Sequence, residues 1–382
     1  MTIKLEVNGV QYDNFESVSC ELRLDALSST FSFAATADQG TPLPFKGGEP
    51  CSVIVDEEKV LTGSIEIVAV DYSASDHTIF IQGRDKTGDL LDSTLSPIDI
   101  RAPITLKQLI EIVLKQIGLD IQVIDEVSPK AFTSEELSDG DDGDELDPFN
   151  EAEDLAAIEA GDSAFSFLEQ YSRKRQVLLT SDADGNVVIA TNSGESAPGA
   201  LQNIIGSDDN NILAASFSFD TTGRFNVYKF VSQLNPNTLN FAGEVSLGTI
   251  VNQTGEAFDP NIRIGRQLVL VSEVPYSSAQ NKTRARWEAD IRRARGLIYA
   301  VTVDGYRVDP SDPDSDLWRT NKLYQITDDF LGKQEPMLCN SVTYTLDLVS
   351  GQQTALGFVD EKTYTLDLTK PKTSETALDF VL

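Results

Sequence analysis

"GRDKTGDLLD", residues 83–92, is the stretch on which the reading of this chain turns. Gly83, Arg84, Asp85, Lys86, Gly88 and Asp89 bring glycine, cation and carboxylate together, as a phosphate loop or a metal site would. The order is wrong for a phosphate loop. That motif needs Gly-x4-Gly-Lys-[Ser/Thr], with lysine and hydroxyl opening a long helix whose free N–H groups face the phosphates. Here Lys86-Thr87 precede Gly88, and Pro97 leaves room for barely two turns of helix. Three aspartates would also repel a polyphosphate. Upstream, "DHTIFIQ" (76–82) alternates as a half-buried strand does, with Ile79 and Ile81 on one face. The stretch therefore reads as a strand end, a structural turn and a short Leu90-Leu91 segment.

Everything before it reads as strands. "IKLEVNGVQY" holds an Asn8-Gly9 hairpin turn, "STFSFAATA" alternates, and "CSVIVDEEKVLTGSIEIVAVDY" carries a charged turn at Asp56 to Lys59. Short strands in succession, separated by turns, point to a barrel or sandwich. Helix enters next, in "ITLKQLIEIVLKQIG". Leu106, Leu109, Ile110, Val113, Leu114 and Ile117 share a face, Thr105 and Gln108 form a capping box, and Gly118 stops the helix. A strand "DIQVID", a second helix "SAFSFLEQYSRKR" with Asp162 as N-cap, and a hairpin around Asp184-Gly185 complete a small α/β unit. Within it, 133–162 is so rich in acid and glycine that it reads as an exposed loop, with a partner-binding arm as the functional alternative.

From Asn211 the chain returns to strands, interrupted by an Asn/Gly/Thr-rich stretch (233–263) that reads as a long loop or extended ribbon. One basic helix, 279–296, stands out in an acidic protein. Its Arg284, Arg286, Arg292, Arg293 and Arg295 either pair with acidic neighbours inside the chain or dock on a like subunit. The C-terminus carries a repeat: "TYTLDL" at 343–348 and 363–368, followed each time by "TALGFV" or "TALDFV". The second copy extends the sheet or offers an edge to another chain. "IEIVAVDYSASDHTIFIQGRD" and "NSVTYTLDLVSGQQTALGFVD" also run alike: strand, polar turn, strand, aspartate.

At 382 residues, about two to four domains with ample core are expected. No apolar run reaches membrane length, and "MTIKLEVNGV" opens as a strand rather than a signal peptide. Cys20, Cys51 and Cys339 have no disulfide or zinc pattern, and the single His77 excludes histidine triads and multi-histidine metal sites. "DADGNVVIATNS" and "DPDSDL" both fail the calcium-loop pattern, with Val187 and Leu317 where glycine is required. The net charge of −31 opposes binding to nucleic acid or anionic membrane. A cell-wall hydrolase would need two carboxylates held in a cleft, which acids scattered over turns do not suggest.

Taken in order, "PCSVIVDEEKVLTGSIEIVAVDY", "GRDKTGDLLD", "GDSAFSFLEQYSRKRQVLLTSDADGNVVIA", "NILAASFSFDTTGRFNVYKF", "ARWEADIRRARG" and "LYQITDDFLGKQEPMLCNSVTYTLD" resemble the baseplate hub proteins of Mu-like contractile-tailed bacteriophages. The likeness covers about 1–360; the acidic insertion and the duplicated hairpin depart from it. It implies a mainly β fold with an α+β insertion: two tube-like β-barrel domains and a small α/β middle domain, closing as a trimeric ring. The expected divisions are 1–93, 94–204, 205–360 and the hairpin 361–382. It implies no catalytic residues and no cofactor. Its partners would be two further copies (a homotrimer), the central spike, the tail tube or tube-initiator, the tape measure protein and wedge or peripheral hub components, with DNA only in transit. A bacteriocin or secretion-type injection particle would share this architecture.

Overall fold

The computed structural model describes residues 2–36, 43–73, 77–133, 155–158, 160–233, 252–272 and 277–365. Seven strands form the first region: β1 (Ile3–Val7), β2 (Val10–Tyr12), β3 (Ser17–Arg23), β4 (Thr30–Thr36), β5 (Pro50–Val55), β6 (Glu58–Tyr72) and β7 (His77–Asp85). Asn8-Gly9 and Asp56-Glu57 make two-residue hairpin turns with positive φ at both positions, the geometry that matches the strand twist. The second turn is thus tighter than the expected Asp56–Lys59 span, because Glu58 and Lys59 already pair with β5.

The middle unit contains β8 (Asp99–Arg101), β9 (Val123–Asp125), β10 (Leu155–Ala157), β11 (Leu178–Ser181) and β12 (Val187–Ala190). Helix Leu106–Ile117 has the full capping box, and Gly118 closes it in the left-handed conformation. The second helix, Ala164–Arg175, is capped by Ser163 rather than by the expected Asp162: the Ser163 hydroxyl accepts from the Ser166 N–H. Both helices pack on the β11–β12–β9 sheet around Leu109, Ile110, Leu168 and Ile189. Residues 134–154 of the acidic segment lie outside the described residues. Its end is not loop, since β10 pairs with β8.

The last region has β13 (Ser196–Asn203), β14 (Ile212–Phe219), β15 (Val227–Gln233), β16 (Asn252–Phe258), β17 (Gln267–Val271), β18 (Leu297–Asp304), β19 (Leu323–Asp328), β20 (Lys333–Asp347) and β21 (Gly351–Asp360). Within the Asn/Gly/Thr-rich stretch, β16 pairs with β15; 234–251 lie outside the described residues. The first "TYTLDL" lies in β20 and its extension. In the second copy Tyr364 is buried in a turn with φ 60°, not in the extended strand its alternation predicts. The rest of that copy, 366–382, is outside the described residues.

All of the first region's strands and six of the last region's belong to one thirteen-stranded sheet, in the order β14-β18-β21-β20-β3-β4-β7-β6-β5-β1-β2, with β19 and β13 branching from β20; β16-β15-β17 form a separate small sheet. Four strands of each half repeat in order and pairing: β3-β4-β7-β6 in the first and β14-β18-β21-β20 in the second. β6 and β20 are both fifteen residues long, and each bulges once against its hairpin partner near mid-strand, at Glu66 and Asn340; β6 bulges again at Val60 against β5. Aligning the bulges makes Asp85 equivalent to Asp360, Gly83 to Phe358 and Phe31 to Tyr299. The strand–turn–strand–aspartate likeness in the sequence is therefore a likeness of register. On β20, β19 occupies one edge up to the bulge, and β3 of the first half occupies the same edge beyond it, from Ser341↔Arg23 to Asp347↔Ser17.

That seam merges the cores. Val18, Cys20, Phe31 and Phe33 of the first half lie in one apolar cluster with Tyr299, Val342, Tyr344 and Phe358 of the second. Phe33→Ala and Phe358→Ala should each lower the same unfolding transition by about 3–5 kcal/mol, as buried aromatic truncations do. Two denaturant transitions, only one of which responds to each substitution, would contradict the shared core.

Candidate functional site

The 83–92 stretch is a junction. β7 ends at Asp85, Lys86 and Thr87 turn the chain, and a single-turn helix spans Gly88–Asp92. Asp85 is buried, and its carboxylate accepts from the Ser28 hydroxyl (2.7 Å), the Ser29 N–H (2.8 Å) and the Ser181 hydroxyl. The Thr87 hydroxyl stands 2.6 Å from the same carboxylate and 2.8 Å from the Leu27 carbonyl oxygen. Ser28 and Ser29 lie between β3 and β4, and Ser181 ends β11 of the middle unit. One carboxylate thus ties three separate segments together, which is how a buried charge is made tolerable.

Arg84 works outward from the same turn. Its guanidinium reaches Glu66, the bulge residue of β6, at 2.7 Å, and Asp92 at the end of the short helix. This pair holds the Asp92 carboxyl below the usual carboxylate range and pushes the Arg84 guanidinium up. Because the folded state depresses Asp92, the contribution is present above the ordinary carboxylate pKa and fades as pH falls through the lowered value. Gly83 sits where a Cβ would stand 2.2 Å from the Ser64 carbonyl oxygen and 2.4 Å from the Phe31 ring, and Gly88 leaves room for the Arg84 side chain. The Lys86 N–H bonds the Thr62 carbonyl oxygen (3.1 Å), while Asp89 is exposed. These six residues bring strand, turn and middle unit together; no groove for a polyphosphate opens among them, since the carboxylate faces inward to hydroxyls.

The basic helix, Ser278–Gly296, packs Ala285 and Ala289 onto Tyr228 and Phe230 of β15. Three of its arginines have partners inside the chain. Arg284 donates to the Arg173 carbonyl oxygen (2.6 Å), Arg292 pairs with Glu288 (2.6 Å) and donates to the Gly223 carbonyl oxygen, and Arg293 pairs with Asp290 (3.2 Å). Arg286 is half-buried near Asp290, and Arg295 is exposed beside a 260 Å³ crevice with Trp287 and Tyr364.

Sequence reasoning missed two polar ties. Arg224 and Asp259 form an ion pair with both side chains at most 1% exposed and N···O distances of 2.7 and 3.0 Å. Arg307 donates to the Asp56 carbonyl oxygen (3.0 Å) and to Glu58 (3.2 Å), and Arg319 also holds Glu58 (2.5 Å), so the β5–β6 turn is bound to the second half. Both ties join residues far apart in sequence, and no local pattern signals them. Burial raises the thiols of Cys20, Cys51 (to about 12) and Cys339, which leaves them unreactive. Among the described residues no cluster of His, Cys, Asp or Glu could hold a metal, and no helix is long and apolar enough to cross a membrane.

Three family models match in chain order and together cover more than half of the chain. They are the N-terminal domain of Mu phage baseplate assembly protein GpP-like (2–85), the second domain of baseplate hub protein gp44-like (147–191) and the fourth domain of Mu phage baseplate assembly protein GpP (277–367). The chain belongs to the Mu-like baseplate hub family. The baseplate hub protein gp44 of Escherichia phage Mu is 24% identical over 356 residues, 92% of this chain and 86% of the relative. A 43 kDa tail protein of prophage MuSo2 from Shewanella oneidensis is 25% identical with a TM-score of 0.75, over 95% of this chain and 99% of that one. A tail protein from Neisseria meningitidis MC58 has the same TM-score at 17% identity, over 95% and 97% of the two chains. In this hub the Asp85–Ser181 contact links the first matched domain to the second.

Asp85→Asn keeps the shape but removes the charge that four groups face, and should cost about 2 kcal/mol or more in a denaturant titration. Arg224→Met strands the buried Asp259 carboxylate and should cost about 3–5 kcal/mol; a loss below about 1 kcal/mol would mean the pair is not desolvated as drawn.

Proposed function

We propose that three copies of this chain close into the ring at the base of a contractile phage tail, joining the six-fold tail tube to the three-fold central spike. The observation that carries this reading is the repeat in register: one chain presents two equivalent β-modules side by side, so three chains present six. A six-fold surface and a three-fold surface can then meet on one body without a mismatch. The tail tube or tube-initiator and the tape measure protein would meet the six-module face, the spike the opposite face, and wedge or peripheral hub components the outside.

The chain works by shape and transforms no substrate. The carboxylates of the junction are occupied with hydroxyls and guanidinium groups, and do not form a pair facing an open cleft. The net charge of −31 suits a bore through which DNA passes without adhering.

Light scattering after gel filtration should give three times the chain mass for the chain alone, or three chains plus the bound spike when the candidate spike is added; a monomer under both conditions would end the ring reading. The protein should also fail to retard duplex DNA at low ionic strength, where any basic surface binds hardest. Purified chain should release nothing from peptidoglycan.

A further inference from the structure

We propose that the crevice beside the basic helix is a peptide site whose occupant is this chain's own segment 366–382, with Leu378 and Phe380 as anchors and Asp379 on Arg295. The proposal gives the second copy of the C-terminal repeat a place, and it stands whether or not three copies close a ring.

The repeat shows which side chains need burial. In the first copy "TALGFV" lies in β21, where Leu356 and Phe358 are at most 1% exposed. Their counterparts in "TALDFV" are Leu378 and Phe380, with the same two-residue spacing. The second copy is a poor substitute for β21, because Asp379 stands where β21 has Gly357. A Cβ at Gly357 would lie 2.4 Å from the Ser341 hydroxyl oxygen on β20, and an aspartate would carry its carboxylate past the same atom. The first copy therefore keeps its place in the sheet. Leu378 and Phe380 gain by leaving water, and need a different apolar surface to do so.

The crevice lies where that segment begins. Asn192 fixes the root: its side-chain amide donates to the Glu361 and Thr363 carbonyl oxygens (2.6 and 2.9 Å), and its N–H to the Tyr364 carbonyl oxygen (3.0 Å). Tyr364 is one wall of the crevice, with Leu27, Val177, Leu178, Trp287 and Ile291. These walls come from the β3–β4 connection, the middle unit and the basic helix, so a docked segment bears on all three. At 260 Å³ the crevice is smaller than the about 300–1,000 Å³ usual for small-molecule sites, and it suits one or two anchoring side chains.

Charge at the rim selects an acidic segment. Asp25 pairs with Arg23 (2.9 Å) and Glu169 with Arg173 (2.5 Å). Arg295 has no ion pair among the described residues, and Arg173 Nε is buried with no acceptor among them. Asp379, between the two anchors, supplies a carboxylate for Arg295, and the docked backbone supplies carbonyl oxygens. Leu378 is fourteen residues beyond Tyr364. A chain of that length spans about 20 Å root-mean-square. The tether then sets an effective concentration on the order of 1 mM. A crevice that holds the free peptide at only about 100 µM is, on that arithmetic, about nine-tenths filled by the chain's own segment.

The test uses the full chain. Phe380→Asp should empty the crevice, so that a dye-labelled peptide of residues 366–382 binds this variant about tenfold more tightly than it binds the unaltered chain. Trp287 emission should move to longer wavelength in the same variant. Trp318, the other tryptophan, is 1% exposed in the core and should not change. In the R295C/D379C variant a disulfide should close within one chain, leaving its mass on a denaturing gel unchanged; Cys20, Cys51 and Cys339 are buried and do not compete. Equal peptide binding by the Phe380→Asp and unaltered chains, with identical tryptophan emission, would overturn the proposal. Disulfide-linked dimers from a mixture of the R295C and D379C single variants, with no intrachain bond in the double variant, would overturn it as well, because the segment would then sit on a second copy.

Discussion

A long β-strand has two hydrogen-bonding edges, and both must be satisfied where the strand is buried. β20 meets this demand in a way that shapes the molecule. β21 runs along one edge, while the other is shared, first by β19 of its own half and then by β3 of the first half. The bulge at Asn340 marks the exchange of partners. The division of the edge fuses what would otherwise be two small barrels into one sheet with one core. The side chains that cross the seam, Val342 and Tyr344 against Leu22 and Cys20, are apolar because the pleat turns them inward on both sides.

Polar contacts fix how the remaining parts sit against this sheet. Asp85 gathers hydroxyls from the β3–β4 connection and from β11, and Arg307 and Arg319 bind the β5–β6 turn to the loops of the second half. Such contacts add little net stability where water can replace them, yet they are directional, and a direction is what a hydrophobic surface lacks. The buried Arg224–Asp259 pair does the same for the small β16–β15–β17 sheet beneath the basic helix. In a hub, where modules must present themselves at set angles, this positional role matters more than the energy.

The charge distribution has two scales. Over the whole chain an excess of acid, net −31, opposes the approach of polyanions, a long-range term that depends on the sum and not on individual sites. Locally the arginines of the basic helix are spent on carbonyl oxygens and on Glu288 and Asp290 within the chain. Within the chain the helix packs Ala285 and Ala289 on β15, and three of its five arginines are held by intramolecular partners.

The sequence by itself determined the elements whose cause is local. Alternation marked β4, β7, β18 and β19; the Thr105/Gln108 box and Gly118 bounded a helix; Asn8-Gly9 placed a turn; and the misordered glycines and lysine of 83–92 excluded a phosphate loop. It also carried the strand–turn–strand–aspartate likeness of the two halves, because a shared register leaves a shared pattern of alternation. Tertiary structure alone decided what faces what. That β3 completes β20, that Asp85 answers Ser181, and that Arg224 finds Asp259 depend on segments brought together across 35 to some 320 residues. Strand pairing is a contact between backbones, which are the same at every residue, so the chain's letters say that a strand has an edge to fill but not which strand fills it.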